Sequence, residues 1–165
     1  MILETPRLRI RALTVDDAEF IFGLVNEPSF LENIGDKGVR NPEDARKFIL
    51  EGSWASHREQ GYGQFLVELK ESGDPVGVCG LLYREALDVS DIGCAFLPAY
   101  WRQGIAFEAA CAVMEYGRTT LGLKKIVGLT SKENTASIRA LEKLGMKFEK
   151  MVKMSDDDPG TALYS

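Results

Sequence analysis

Basic and apolar residues alternate along Arg7-Leu8-Arg9-Ile10-Arg11-Ala12, the two-residue period of a strand with one buried and one wet face. The period then lengthens. Ala18, Ile21, Phe22 and Val25 recur at helical spacing behind Thr14 and Asp17, which are spaced as a capping box, so a helix is predicted to about Glu27 with Pro28 as its stop. A second helix is predicted with Asn41 as cap and Pro42 as first helical residue. Ala45, Phe48, Ile49 and Gly52 mark its inner stripe, and it ends before Gly61-Tyr62-Gly63. Residues 64–69 and 76–84 are rich in apolar and β-favouring types and flank Glu71-Ser72-Gly73-Asp74-Pro75, which is hairpin-turn chemistry. With a third strand at 91–97 they predict an antiparallel meander, because connections this short cannot carry a parallel crossover.

Pro98 ends that third strand, and Trp101-Arg102-Gln103-Gly104-Ile105-Ala106 opens a long helix through Ala109, Val113 and Tyr116 to about Leu121, with Gly122 at the C-cap. Residues 125–130 follow as a strand parallel to the one before the helix, a right-handed βαβ unit. Asn134 caps a short helix with Ile138, Leu141 and Leu144 inward and Gly145 as its stop. Residues 148–154 form a strand, Asp156-Asp157-Asp158-Pro159-Gly160 turns the chain, and residues 162–165 form a last strand. The predicted fold is α+β: a mixed, mostly antiparallel twisted sheet of about seven strands with about four helices and a central parallel strand pair. No repeat, low-complexity tract or linker divides the 165 residues, so 1–165 is expected as a single domain.

The element with most chemical content is the strand, glycine turn and helix start around 91–106. The first N–H groups of a helix lack intrahelical partners, and the helix dipole adds roughly half a positive charge there, so this arrangement can cradle a phosphate. Gly104 permits close backbone approach, Ala106 keeps the helix start uncluttered, and Arg102 can add a charge-assisted contact. The pattern of a Walker-type phosphate loop is absent. A net charge of −5 disfavours nonspecific nucleic-acid binding, and no apolar run approaches the ~20 residues of a membrane span. The start of the chain lacks the basic-then-apolar layout of a secretory signal, so a cytoplasmic location is expected, with no nucleic-acid or membrane partner. Cys79, Cys94 and Cys111 are widely spaced and read as small packing residues. His57, the only histidine, is assigned to a helix surface, and no metal site is expected.

The order of elements resembles the GNAT N-acetyltransferase family, especially its ribosomal-protein N-terminal acetylating branch. Thr5-Pro6-Arg7-Leu8, Asp91-Ile92-Gly93, the run from Trp101 to Ala109, and Asn134-Thr135-Ala136-Ser137 leading to Leu141-Glu142-Lys143-Leu144-Gly145 carry the resemblance. Two positions depart from the family pattern. Trp101 stands where Arg or Gln is frequent, and Ser137 stands where many members have a tyrosine proton donor.

The resemblance implies acetyl-CoA as co-substrate. Its pyrophosphate would lie on Arg102, Gln103, Gly104, Ile105 and Ala106, and its pantetheine arm against Ala95, Phe96 and Leu97. It further implies a hydrogen bond from Asn134 to the pantetheine or a water, a hydroxyl of Ser137 near the departing sulfur, and Asp91 as a carboxylate that helps deprotonate the amine. Asn134 is equally explained as a helix cap, and Asp91 as a solvated charge at a strand start. Tyr83 and Trp54 read as acceptor-pocket or packing residues, Lys143 and Arg139 as ribose-phosphate contacts or solvated charges, and residues 35–38 as a loop over the acceptor. The expected activity is direct acetyl transfer to a primary amine, either a protein N-terminus or a small molecule. The alternative is a non-catalytic acyl-CoA-binding module of the same fold. Acceptor identity and oligomeric state stay open.

Overall fold

The computed structural model of the chain describes residues 2–165. Its spine is one sheet of eight strands: β1 (Ile2–Glu4), β2 (Leu8–Ala12), β3 (Gln64–Leu69), β4 (Pro75–Arg84), β5 (Val89–Phe96), β6 (Ile126–Thr130), β7 (Phe148–Val152) and β8 (Thr161–Tyr164). Their spatial order is β1-β2-β3-β4-β5-β6-β8-β7, and every neighbouring pair is antiparallel except β5 and β6. The meander, the central parallel pair and the C-terminal hairpin follow the periodicity of the sequence. Strand β1 is additional to the seven expected. It is three residues long and pairs with β2 from Ile2 opposite Arg11 to Glu4 opposite Arg9, too short for a period to show.

Six α-helices cover the sheet: α1 (Ala18–Val25), α2 (Pro28–Asn33), α3 (Pro42–Ile49), α4 (Ala55–Gln60), α5 (Ile105–Thr119) and α6 (Thr135–Lys143). Pro28 both stands clear of α1 and opens α2, where its fixed φ and missing N–H are tolerated. The single helix predicted after Asn41 is α3 and α4 joined by a π-helical turn at Leu50–Trp54, and it closes on the left-handed Gly61. Ala45 and Ile49 are buried as expected, while Phe48 is 37% exposed. The reciprocal cap before α1 is present: Thr14 Oγ1 accepts from the Asp16 N–H, and the Asp17 carboxylate accepts from the Thr14 N–H at 2.8 Å.

Strand alternation divides the core in two. One face carries Leu8, Ile10, Phe65, Val67, Cys79, Leu81 and Ile92 against α5 and the Leu141 side of α6. The other carries Leu66 against α1 and α3 through Ile21, Val25, Ala45 and Ile49. Cys79 and Cys94 stand directly opposite on β4 and β5, with Cα atoms 4.1 Å apart, and are joined as a disulfide. Two packing thiols were expected, and the cross-strand register that brings them together cannot be seen in their spacing along the chain. His57 also differs from expectation. It is half-buried, edge-on to Phe65 at 5.1 Å, with Nε2 3.2 Å from the Gln64 carbonyl. Among the described residues no helix is long and apolar enough to cross a membrane, and no cluster of His, Cys, Asp and Glu could hold a metal ion.

Candidate functional site

The strands that carry the site part company where the chemistry was expected. β5 and β6 are paired only at Ser90 opposite Ile126 and Asp91 opposite Val127, and from Gly128 onward β6 pairs with β8. Beyond Asp91 the β6-facing edge of β5 is therefore open, leaving a notch in the middle of the sheet. Along that edge the three residues 95–97 are not equivalent. The Leu97 N–H donates to the Val76 carbonyl at 3.0 Å, so it is held within the sheet. Antiparallel alternation then turns the Phe96 backbone the other way, and its carbonyl accepts from Trp101 Nε1 at 2.9 Å. Of Ala95, Phe96 and Leu97, Phe96 is the one with an N–H facing the notch.

Trp101 thus packs back onto the strand that precedes it and fixes the entry to the turn. Arg102 and Gly104 both take left-handed backbone conformations, φ 63° and 78°. For a non-glycine residue this costs about 1–2 kcal/mol, and alternation of this kind aims successive N–H groups at one point, as in an anion-binding nest. Gly104 precedes α5, whose first intrahelical bond runs from the Glu108 N–H to the Gly104 carbonyl at 3.0 Å. The N–H groups of Ile105, Ala106 and Phe107 lie before that bond and are free for a ligand. The Gln103 side-chain amide donates to the Ala99 carbonyl at 3.1 Å, which turns it back toward the preceding loop.

The turn is fastened from the far end of the sequence. Arg7 Nη1 donates to the Gln103 carbonyl at 2.9 Å, and Arg7 Nε donates to Glu108 Oε1 at 2.8 Å. Glu108 Oε2 accepts from the Arg7 N–H at 3.0 Å and from the Thr5 hydroxyl. Burial pushes the Glu108 carboxyl up, but the hydrogen bonds from Thr5 and Arg7 outweigh it and hold the group below its ordinary value. None of these contacts can be anticipated from spacing along the chain, since a hundred residues separate the partners.

α6 flanks the notch on the α5 face. Asn134 Oδ1 accepts from the Ser137 N–H at 3.1 Å, so the cap is real, while the half-buried Ser137 hydroxyl makes no hydrogen bond among the described residues. The far end of the helix meets the cradle: Lys143 Nζ lies 4.3 Å from the centroid of Phe107, in the first turn of α5. Arg139 is exposed on the same helix.

Asp91 occupies the apex of the notch and points to the opposite face, since its neighbour Ile92 belongs to the α5 side. It is 2% exposed, with Oδ2 accepting from Arg84 Nε at 2.8 Å and Oδ1 buried without a hydrogen-bond partner. Burial raises its pKa above the ordinary 3.8, and the Arg84 guanidinium opposes that only in part. The solvated charge at a strand start is thus corrected to a buried one. Gln64 lies on the same face with its own buried, unpartnered Oε1. A Cβ at Gly93 would be 3.4 Å from Gln64 Nε2 and 3.9 Å from Asp91 Oδ1. Nothing in the sequence singled out Gln64, because a polar residue at the start of a strand ordinarily faces water.

The remaining candidates lie elsewhere. The Tyr83 hydroxyl donates to Asp88 at the β4–β5 connection. Trp54 Nε1 donates to the Leu13 carbonyl at 2.7 Å, and its ring lines a cavity of about 500 Å³ with His57, Phe65 and Tyr116. Tyr116 is about 16 Å along α5 from Ile105, so that cavity is not the cradle. The loop at 35–38 is tied down, with Asp36 accepting from the Gly38 N–H at 2.8 Å and from the Arg40 fork at 2.9 and 2.6 Å.

A notch in the sheet beside an anion-binding turn and a capped helix is the arrangement that the resemblance to the GNAT family leads one to expect. Residues 7–147 match the acetyltransferase (GNAT) domain family, and the chain belongs to that family. The protein YkkB of Bacillus subtilis (strain 168) is 32% identical over 156 residues, 92% of this chain and 88% of that one. YoaA of the same organism, described as an N-acetyltransferase, is 29% identical over 161 residues, 97% and 90% of the two chains. Among solved structures, a GNAT-family acetyltransferase from Bacillus anthracis superposes with a TM-score of 0.80 at 28% identity, covering 99% of this chain and 96% of that one. RimL, a ribosomal L7/L12 alpha-N-protein acetyltransferase in complex with coenzyme A, has the same fold, with a TM-score of 0.85 at 19% identity over 99% and 96% of the chains. The protein is an acetyltransferase.

Proposed function

We propose that this chain uses acetyl-CoA to acetylate a primary amine directly, without a covalent enzyme intermediate. The observation that carries the reading is Asp91: a buried carboxylate with one unpartnered oxygen at the apex of the notch, on the strand that leads to the anion turn. The pyrophosphate of the donor substrate lies on the backbone of Arg102 to Ala106, and the Phe96 N–H is available to polarise the thioester carbonyl. Asp91 lies about 16 Å along β5 from Phe96, so it takes the amine's proton through a chain of waters. The amine nitrogen attacks the thioester carbon, a C–N bond forms, and the C–S bond breaks. The sulfur leaves as thiolate and is protonated, with the Ser137 hydroxyl relaying the proton from water or hydrogen-bonding the thiolate.

Deprotonating a lysine costs about 3.4 kcal/mol more than deprotonating an α-amino group, and a carboxylate is a weak base, so an N-terminal or otherwise low-pKa amine suits the site best. The likeness of fold to RimL supports the same preference, and the cytoplasm supplies both substrates. Calorimetric titration with acetyl-CoA should give saturable binding, and an acceptor screen read by free-thiol release should find turnover with α-amines. Ser137→Ala should lower turnover with little change in donor affinity. Absence of binding at millimolar acetyl-CoA defeats the proposal, and binding without turnover of any amine favours the non-catalytic acyl-CoA module.

A further inference from the structure

The cradle contains a contradiction. Glu108 is the fourth residue of α5, about 4.5 Å along the axis from the first N–H groups that would hold a phosphate. A carboxylate inside the first turn of an anion-binding helix opposes a negatively charged ligand, because its charge cancels the positive end of the dipole. The arrangement of Arg7 answers it. One edge of the guanidinium closes on Glu108 Oε1, Nη1 holds the Gln103 carbonyl in the turn itself, and Nη2 lies 3.3 Å from where a Cβ at Gly104 would be. Thr5 and the Arg7 N–H occupy the other carboxylate oxygen.

We propose that Arg7 is a positioning residue for the donor substrate: it neutralises Glu108 and pins the Gln103 carbonyl, so that the 102–104 turn stays in its anion-accepting conformation. Arg7 acts through the turn and does not touch the reacting atoms. The inference rests on the reading above, in which this turn holds the pyrophosphate of acetyl-CoA. It assigns a function to Thr5-Pro6-Arg7-Leu8, which the mechanism otherwise leaves unused. Among the described residues, the cation paired with Glu108 is Arg7 of the N-terminal segment.

The test is a mutant cycle read by acetyl-CoA calorimetry, with KM and kcat measured separately. Arg7→Ala should raise the dissociation constant and the KM for acetyl-CoA about tenfold, the order expected for an uncompensated charge at a helix start, while kcat at saturation stays within about twofold. Glu108→Gln should bind acetyl-CoA at least as tightly as the wild type. The Arg7→Ala/Glu108→Gln double variant should recover most of the affinity lost in Arg7→Ala, which a merely structural role for Arg7 would not produce. Should Arg7→Ala fail to fold by circular dichroism, Glu108→Gln carries the test alone, and weakened binding there overturns the proposal. So do an Arg7→Ala affinity equal to the wild type and a double variant no better than Arg7→Ala. A wild type that binds no acetyl-CoA overturns the functional reading itself, an outcome distinct from any difference among the variants.

Discussion

Asp91 meets two opposing demands. Its burial favours the protonated acid, and its contact with Arg84 favours the carboxylate, with burial the stronger. A base must be ionised to work, so activity that depends on Asp91 is lost as pH falls through its raised pKa and is retained above it. Asp91 itself takes the amine's proton, so log(kcat/KM) should climb with a slope of about one below the Asp91 pKa and level off above it. In Asp91→Asn the amine must already be neutral, so the rise should continue toward the amine pKa, with the rate down about 10²–10⁴-fold. A wild-type profile that climbs without levelling off below the amine pKa would remove Asp91 as base. Asp91 and Ser137 could be picked out in the sequence by resemblance. Their placement on opposite faces of the sheet could not, because it depends on the parity of β5. Gln64 and the Arg7–Glu108 pair were invisible for a related reason: their partners come from cross-strand register and from contacts across a hundred residues.

At the scale of elements, the meander, the crossover and the capped helices were legible because each has a local signature, a period of two or 3.6 bounded by Gly, Pro or Asn. Gly122 and Gly145 both take the left-handed conformation expected of residues that end helices. β1 and α2 were not legible, being three and six residues long, and the π-helical turn between α3 and α4 has no compositional mark. Close strand approach leaves another trace. A Cβ at Gly80 would collide with the Gly63 carbonyl oxygen and lie 2.6 Å from Gln64 Cα, both backbone atoms that cannot swing away. Gly80→Ala should therefore destabilise the protein by about 2–3 kcal/mol, seen as a fall in Tm of roughly 5–10 °C in thermal melts. A melt unchanged from the wild type would mean that β3 relaxes away from β4 at no cost.

On the scale of the whole molecule, the sheet is two blocks, β1 to β5 and β6 to β8, joined by two residue pairs and backed by α5 and α6. One hydrophobic cluster runs across the seam, since Leu141, Ala162 and Tyr164 share it with Leu8 and Phe65. That seam has a dynamic consequence. On β5, amides that face β4 are locked in the ladder, while those of Cys94 and Phe96 face the gap, so amide hydrogen exchange along the strand should alternate fast and slow from one residue to the next. Saturating acetyl-CoA should slow the fast set alone. Uniform protection along β5 in the free protein would mean that the gap closes in solution. Unlike the outer border of a sheet, this unsatisfied backbone is hidden between two strands of its own chain, where a small molecule can enter and another protein's strand cannot, so the fold keeps a reactive edge without inviting aggregation.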